Sequence, residues 1–355
     1  MAFKIRTALN LINNVNTEKQ IDNHHHIQTM YYLIKKHNWK LCVYEELAEN
    51  SNDIKTFFRN KYKEIPEYIL LFYHSHQISI WNFPKETKIL NLVVDTIYGS
   101  KTCKYKTICY NKCDAAFINY AYNVQKKQPK VKSNKLIFLP HSCYYYSKFN
   151  TDPINKIFVG GHIKNYPPRE YMVKLAKSTH KDKIDHYRPK VGYKVSIEKQ
   201  KKVLFGQSFV NKMSEYIACF TDDVIGMDKK LIEECGGNGY IVAKYFEILA
   251  SGSLLLAFNE RTKDMFELLG FIDKKHYLSV TYDNLEETIN YILNKENRDI
   301  INKIRKNGQN HVLKHHKYTD RADYIQQWTE DKSKLDLALH YNKRYNTEFI
   351  LGIIN

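Results

Sequence analysis

Residues Gly236–Asn259 read GGNGYIVAKYFEILASGSLLLAFN, and this stretch decides the fold. A glycine-rich loop opens onto an apolar helical pattern, Tyr240–Ala250, which a Ser-Gly pair stops before a continuous apolar strand. Within that helix only Lys244 and Glu247 are charged, and three-residue spacing puts them on one edge. The remainder is apolar nearly all round, so the helix belongs in a protein core. A cation and a carboxylate there have two readings. They form an ion pair at the helix end, or they serve a bound nucleotide, whose phosphates take a cation and whose ribose hydroxyls take a bidentate acceptor.

Working outward, the N-terminal half alternates strand-like and helical runs. Strands are expected at Lys4–Ile12, Leu41–Glu46, Tyr68–His74, Lys88–Asp95, Ala115–Tyr120 and Lys135–Pro140, with helices at Ile27–His37 and Asn52–Tyr62. Unbroken apolar strands alternating with helices imply an α/β fold with a parallel sheet covered on both faces. Ligands of such sheets bind beyond the carboxyl ends of strands, so strand-ending residues are the candidates for chemistry. Asp95, closing LNLVVD, is either a turn carboxylate or a general base in the cleft. His24, His25 and His26 after the first strand, His74 and His76 after the third, and His141 are further candidates, each with a capping or structural alternative.

The non-periodic Pro140–Pro153 reads as a connection between domains. Beyond it, IFVGG runs a strand into Gly160-Gly161, and two prolines then open a helix with Arg169 in its first turn. With Lys164 nearby, this is a phosphate cradle or simply tight strand–helix packing; it is neither a dinucleotide fingerprint nor a P-loop. Asp222-Asp223 ends a later strand without a third converging oxygen, so no metal is expected. A helix over Leu285–Leu293 and a long helical stretch over Arg298–Glu330 follow. The boundaries implied are 1–150 and 151–330, with 331–355 a helix or tail.

Composition narrows the classes. A hydrophobic content of 43% and an aromatic content of 14% support sizeable cores. No apolar run is long enough to span a membrane, and no signal-peptide pattern or Asn-x-Ser/Thr acceptor is present, which fits a cytoplasmic chain. The seven cysteines follow no zinc spacing. The formal charge of +17 predicts attraction to something acidic, whether nucleotide phosphates, an anionic glycan or nucleic acid. Only 9 of the 55 basic residues are Arg, and the abundance of Asn, Ile, Lys and Tyr points to A/T-rich codons as one source of that charge.

KYFEILASGSLLLAFN, FVGGHIKNYPPRE, LFGQSF, HYLSVTYDNLEETINYIL and the helix to HHKYTDRADYI together resemble glycosyltransferases of the GT-B fold. The likeness is to the group-one, spore-coat-maturation type, over residues 156–327. DNA glucosyltransferases of large phages share the outline more distantly. The resemblance implies two Rossmann-like domains with a nucleotide sugar between them, the N-terminal one for the acceptor and the C-terminal one for the donor. Carried over, it gives Glu247 to the ribose, Lys244, Lys164 and Arg169 to the diphosphate, and Gly160-Gly161 to close backbone approach. Asp95 becomes the base of an inverting transfer. Retaining relatives often carry a second Glu where Gly239 stands here, which is a departure from the retaining pattern.

The expectation is a metal-independent, cofactor-free transferase moving a sugar from a nucleoside diphosphate sugar to a hydroxyl acceptor, a glycan before all. A nucleic-acid-modifying transferase and a non-catalytic sugar-binding module are the alternatives; steep salt dependence would mark the first.

Overall fold

The computed structural model describes residues 6–10, 25–72, 81–93, 112–119, 136–161, 163, 166–187, 206–223 and 241–331. They separate into two compact units, one up to Pro140 together with the chain from Tyr318, the other His141–Lys317.

The first unit is built on six parallel strands: β1 (Arg6–Asn10), β2 (Lys40–Val43), β3 (Tyr68–Phe72), β4 (Lys88–Val93), β5 (Ala115–Ile118) and β6 (Leu136–Phe138). Their order is β2-β1-β3-β4-β5-β6, with every neighbouring pair parallel. Helices α1 (His25–His37), α2 (Tyr44–Glu49) and α3 (Ile54–Tyr62) accompany them. Asp53 caps α3 by accepting the Thr56 N–H at 3.1 Å, and Ile54 and Phe58 bury its inner face. With Cys42, Leu47, Ile69, Leu71, Trp81 and Cys113 they form one core cluster.

The second unit carries five parallel strands, ordered β8-β7-β9-β10-β11. These are β7 (Ile154–Gly160), β8 (Ile184–Tyr187), β9 (Tyr216–Asp222), β10 (Leu254–Phe258) and β11 (Leu278–Ser279). Every residue of β9 and β10 is buried, as expected of parallel strands covered on both faces. Its helices are α4 (Pro167–Lys177), α5 (Gly206–Ser214), α6 (Ala243–Ser251), α7 (Lys263–Leu268), α8 (Leu285–Leu293) and α9 (Arg298–His315). The core helix of the organising stretch is α6; it starts at Ala243 rather than Tyr240 and ends on the left-handed Gly252, φ +79°. It buries Tyr245, Phe246, Ile248 and Leu249, each worth about 1.5–3 kcal/mol of burial.

Two expectations are corrected here. Tyr44–Glu46, read as the end of a strand, begins α2. The stretch Arg298–Glu330 is two helices, because His316 caps α9 with its backbone outside the helical region and its carbonyl oxygen accepts the Cys143 N–H at 2.9 Å. The second helix, α10 (Tyr318–Glu330), belongs to the first unit. There Gln326 accepts the Trp39 indole N–H at 2.8 Å, Trp328 meets Phe117 edge to face, and Arg321 donates to the Pro140 carbonyl at 3.0 Å.

Candidate functional site

In the second unit the chain runs from β7 outward to β8, then returns to β9 on the other side of β7. That reversal is a topological switch point, where doubly wound sheets bind ligands beyond their carboxyl ends. The two strands flanking it end in Gly160-Gly161 and in Thr221-Asp222-Asp223.

Gly161 has φ +103°, a conformation that strains any side-chain-bearing residue. A Cβ placed there would lie 3.7 Å from both Cε and Nζ of Lys244. The second residue of α6 therefore reaches to the backbone that ends β7. Its Nζ stands 3.8 Å from Glu247 Oε2 and 4.0 Å from the centroid of the Phe209 ring. The two side chains keep 19% and 35% of their exposure, so neither is sealed from a ligand. Burial pushes the Lys244 ammonium below the usual lysine range; Glu247 pulls it back up and the Arg169 charge pushes it down again.

Arg169, in the first turn of α4, takes a different position. It is buried, with its guanidinium 2.6 Å from Asp222 Oδ1, donating to Thr221 Oγ1 at 3.2 Å and stacked over the Tyr166 ring. Burial pushes the Asp222 carboxyl up while Arg169 holds it down. Asp223 accepts the Arg261 N–H at 3.3 Å, and burial, then the neighbouring Asp222, pushes its carboxyl up to about 7.

Of the residues singled out from sequence, the structure brings Gly160, Gly161, Lys244 and Glu247 to one place, with Arg169 near enough to act on Lys244 by its charge while paired to Asp222. Lys164, His24, His74 and His76 lie outside the described residues, as does Asp95, two positions past the end of β4 at Val93. His25 and His26 open α1, and their side chains are outside the description. His141 is buried. Sequence reasoning missed Phe209: LFGQSF shows a glycine before a helix, and nothing in it places the ring beneath a lysine 35 positions later. Chemically, a fixed ammonium beside a partly exposed carboxylate suits a ligand carrying both an anion and vicinal hydroxyls.

Known proteins share this architecture. Residues 208–327 match a family model described as glycosyl transferase-like. No curated protein sequence matches the chain. Among solved structures, a glycosyltransferase from Rickettsia africae ESF-5 is similar with a TM-score of 0.52 and 10% identity, over 94% of this chain and 100% of that one. HepE of Anabaena, solved with UDP-glucose, gives 0.54 at 10% identity, over 92% and 99%. TarM, a Staphylococcus aureus protein, gives 0.51 at 11% identity, over 78% of this chain but 57% of TarM. The likeness is one of fold. The chain has the two-domain α/β architecture of GT-B glycosyltransferases, and the family match covers 208–327, about a third of it. Among the described residues no helix is long and apolar enough to cross a membrane, and no cluster of three or more metal-ligating side chains occurs.

Proposed function

We propose that this protein transfers a sugar from a uridine diphosphate sugar to a hydroxyl group of a glycan, in the cytoplasm, by a metal-independent inverting reaction. The observation that carries the proposal is the Lys244–Gly161–Glu247 constellation at the switch point of the second unit's sheet. UDP is chosen because HepE, similar in fold, was solved with UDP-glucose. The form of KYFEILASGSLLLAFN supports the spore-coat-maturation type within the wider class.

In this scheme the second unit holds the donor and the first the acceptor. Glu247 accepts hydrogen bonds from the ribose hydroxyls. Lys244 meets the diphosphate, whose close approach needs a backbone without Cβ at Gly160 and Gly161. Lys164 adds a second cation, and Arg169 adds its charge from the buried pair with Asp222. As the bond between the anomeric carbon and the phosphate oxygen breaks, its electrons pass to the diphosphate. A fixed ammonium stabilises that charge without reorganisation, the role a metal fills elsewhere. The acceptor oxygen forms the new bond to the anomeric carbon, and Asp95 takes the hydroxyl proton.

The testing experiment is a thermal-shift screen of the whole chain against uridine, guanosine, adenosine and thymidine diphosphate sugars, with and without chelator. Stabilisation by uridine diphosphate sugars, unchanged by chelator, is expected. Stabilisation by another base corrects the donor alone; a strict need for magnesium or manganese overturns the metal-independent scheme.

A further inference from the structure

Lys212, in the last turn of α5, and Glu215, one residue past its end, are three apart and stand 2.5 Å from each other. Lys244 and Glu247 have the same spacing on α6, yet remain 3.8 Å apart, beyond hydrogen-bond distance. Spacing alone therefore does not keep the second pair open. The second pair lies wholly within its helix, and its aromatic partner also differs. The Lys212 ammonium is 5.2 Å from the Tyr216 ring centroid, whereas the Lys244 ammonium is 4.0 Å from that of Phe209.

Phe209 is itself fixed. It is buried on α5, and its ring edge lies against Gly160, where a Cβ would come within 2.8 Å of Cζ and 3.0 Å of Cε2. Phe158, whose ring edge also lies against Gly160, is tilted against Phe209 at 6.2 Å and stacks on Tyr216 at 4.9 Å. The ring is thus wedged between the end of β7 and the start of α6. A cation over a desolvated ring face gains electrostatic energy that competes with closing onto a carboxylate.

We infer that Phe209 is a positioning residue for the donor: its ring holds the Lys244 ammonium over Gly161 and out of a closed ion pair with Glu247, leaving cation and carboxylate each available to the nucleotide. The inference rests on the donor reading given above. It also predicts what the loss of the ring does. Lys244 swings toward Glu247, the pair closes, and both groups are withdrawn from phosphate and ribose at once.

The test is UDP binding by calorimetry to the full chain in a double-mutant cycle. Phe209→Leu should weaken UDP binding about 5- to 30-fold, the range of a desolvated cation–π contact. In a Glu247→Gln background, where no charged pair can form, Phe209→Leu should cost less than about twofold more. The same loss from Phe209→Leu in both backgrounds would make the ring merely structural and overturn the inference. So would undiminished UDP binding by Phe209→Leu. If the leucine variant does not fold, Phe209→Met, which fills similar space without a ring face, takes its place in both backgrounds with the same expected and overturning results. A wild-type chain that does not bind UDP fails the donor reading itself, and the inference falls with it.

Discussion

Arg169–Asp222 and Lys244–Glu247 are two ion pairs at the carboxyl edge of one sheet, and they are built differently. The first is short, at 2.6 Å, and its side chains keep 6% and 1% of their exposure. The second is open, at 3.8 Å, with 19% and 35% retained. A buried pair costs much when one partner is removed, because the survivor is left charged and desolvated. A partly exposed pair contributes about 0–1 kcal/mol to stability. A charge beside the switch point is thus either tied into the fold or left open to a ligand. Arg169 welds α4 to the end of β9, whereas Lys244 and Glu247 are held where a ligand can compete for both.

The sharpest way to break this contrast is to remove one partner from the buried pair. Arg169→Met should destabilise the second unit by about 3–5 kcal/mol in denaturant unfolding, whether or not a nucleotide is present. A fully stable Arg169→Met protein that has lost only nucleotide affinity would make Arg169 a ligand of the diphosphate rather than a brace of the fold.

If the open pair serves the donor, the proton transfer must be handled elsewhere, and the proposed base is Asp95. Asp95→Asn should lower sugar transfer by about two to four orders of magnitude with donor affinity near wild type. Transfer at wild-type rates would remove Asp95 from the scheme and direct attention to His26 and His74.

Glu247→Gln should weaken nucleotide-sugar binding by about 1–3 kcal/mol in calorimetric titration, the cost of removing a charged acceptor from hydroxyl donors. Unchanged affinity would place the ribose elsewhere.

A separate effect concerns pH. The folded-state Asp223 carboxyl titrates near 7 against an ordinary value of 3.8, so the folded chain holds this proton over a range where the unfolded chain has lost it. Its contribution to stability is therefore present at low pH and declines as pH rises from about 4 through 7. His276, pushed down to about 4 by burial, acts with the opposite sign, favouring the folded state as pH rises toward 6.5. The informative quantity is thus the difference between wild type and Asp223→Asn. The variant should lose less stability than wild type between pH 5 and pH 8; parallel curves would show that Asp223 is not shifted.

Much of the fold was legible because burial on both faces writes continuous apolar strands, as in Ala115–Ile118 and Leu254–Phe258, both wholly buried. Helix α8 was legible to the residue, since its apolar period runs between Asn284 and Asn294. The failures have physical causes. In LCVYEELAE no glycine or proline separates strand from helix, so the chain turns from β2 into α2 without a local signal. The break between α9 and α10 is likewise unmarked in KHHKYTD; it is made by the buried His316, whose carbonyl accepts a hydrogen bond from Cys143 far away in sequence. At the site, Lys244 and Glu247 stood out because charge on an apolar helix is costly. The commitment of Arg169 to Asp222 and the seat of Lys244 on Phe209 are tertiary contacts between residues 53 and 35 apart. No spacing within one element shows them.

Under the proposed function the open pair serves the ligand, whereas the buried pair serves the fold. This division is tested most directly by thermal unfolding of wild type and of Lys244→Met, each with and without saturating UDP-glucose. The variant should unfold within about 2 °C of wild type without ligand, as expected for a pair worth under about 1 kcal/mol, and should lose most of the ligand-induced rise in Tm. A variant that unfolds many degrees lower without ligand, yet gains the full rise when UDP-glucose is added, would contradict it.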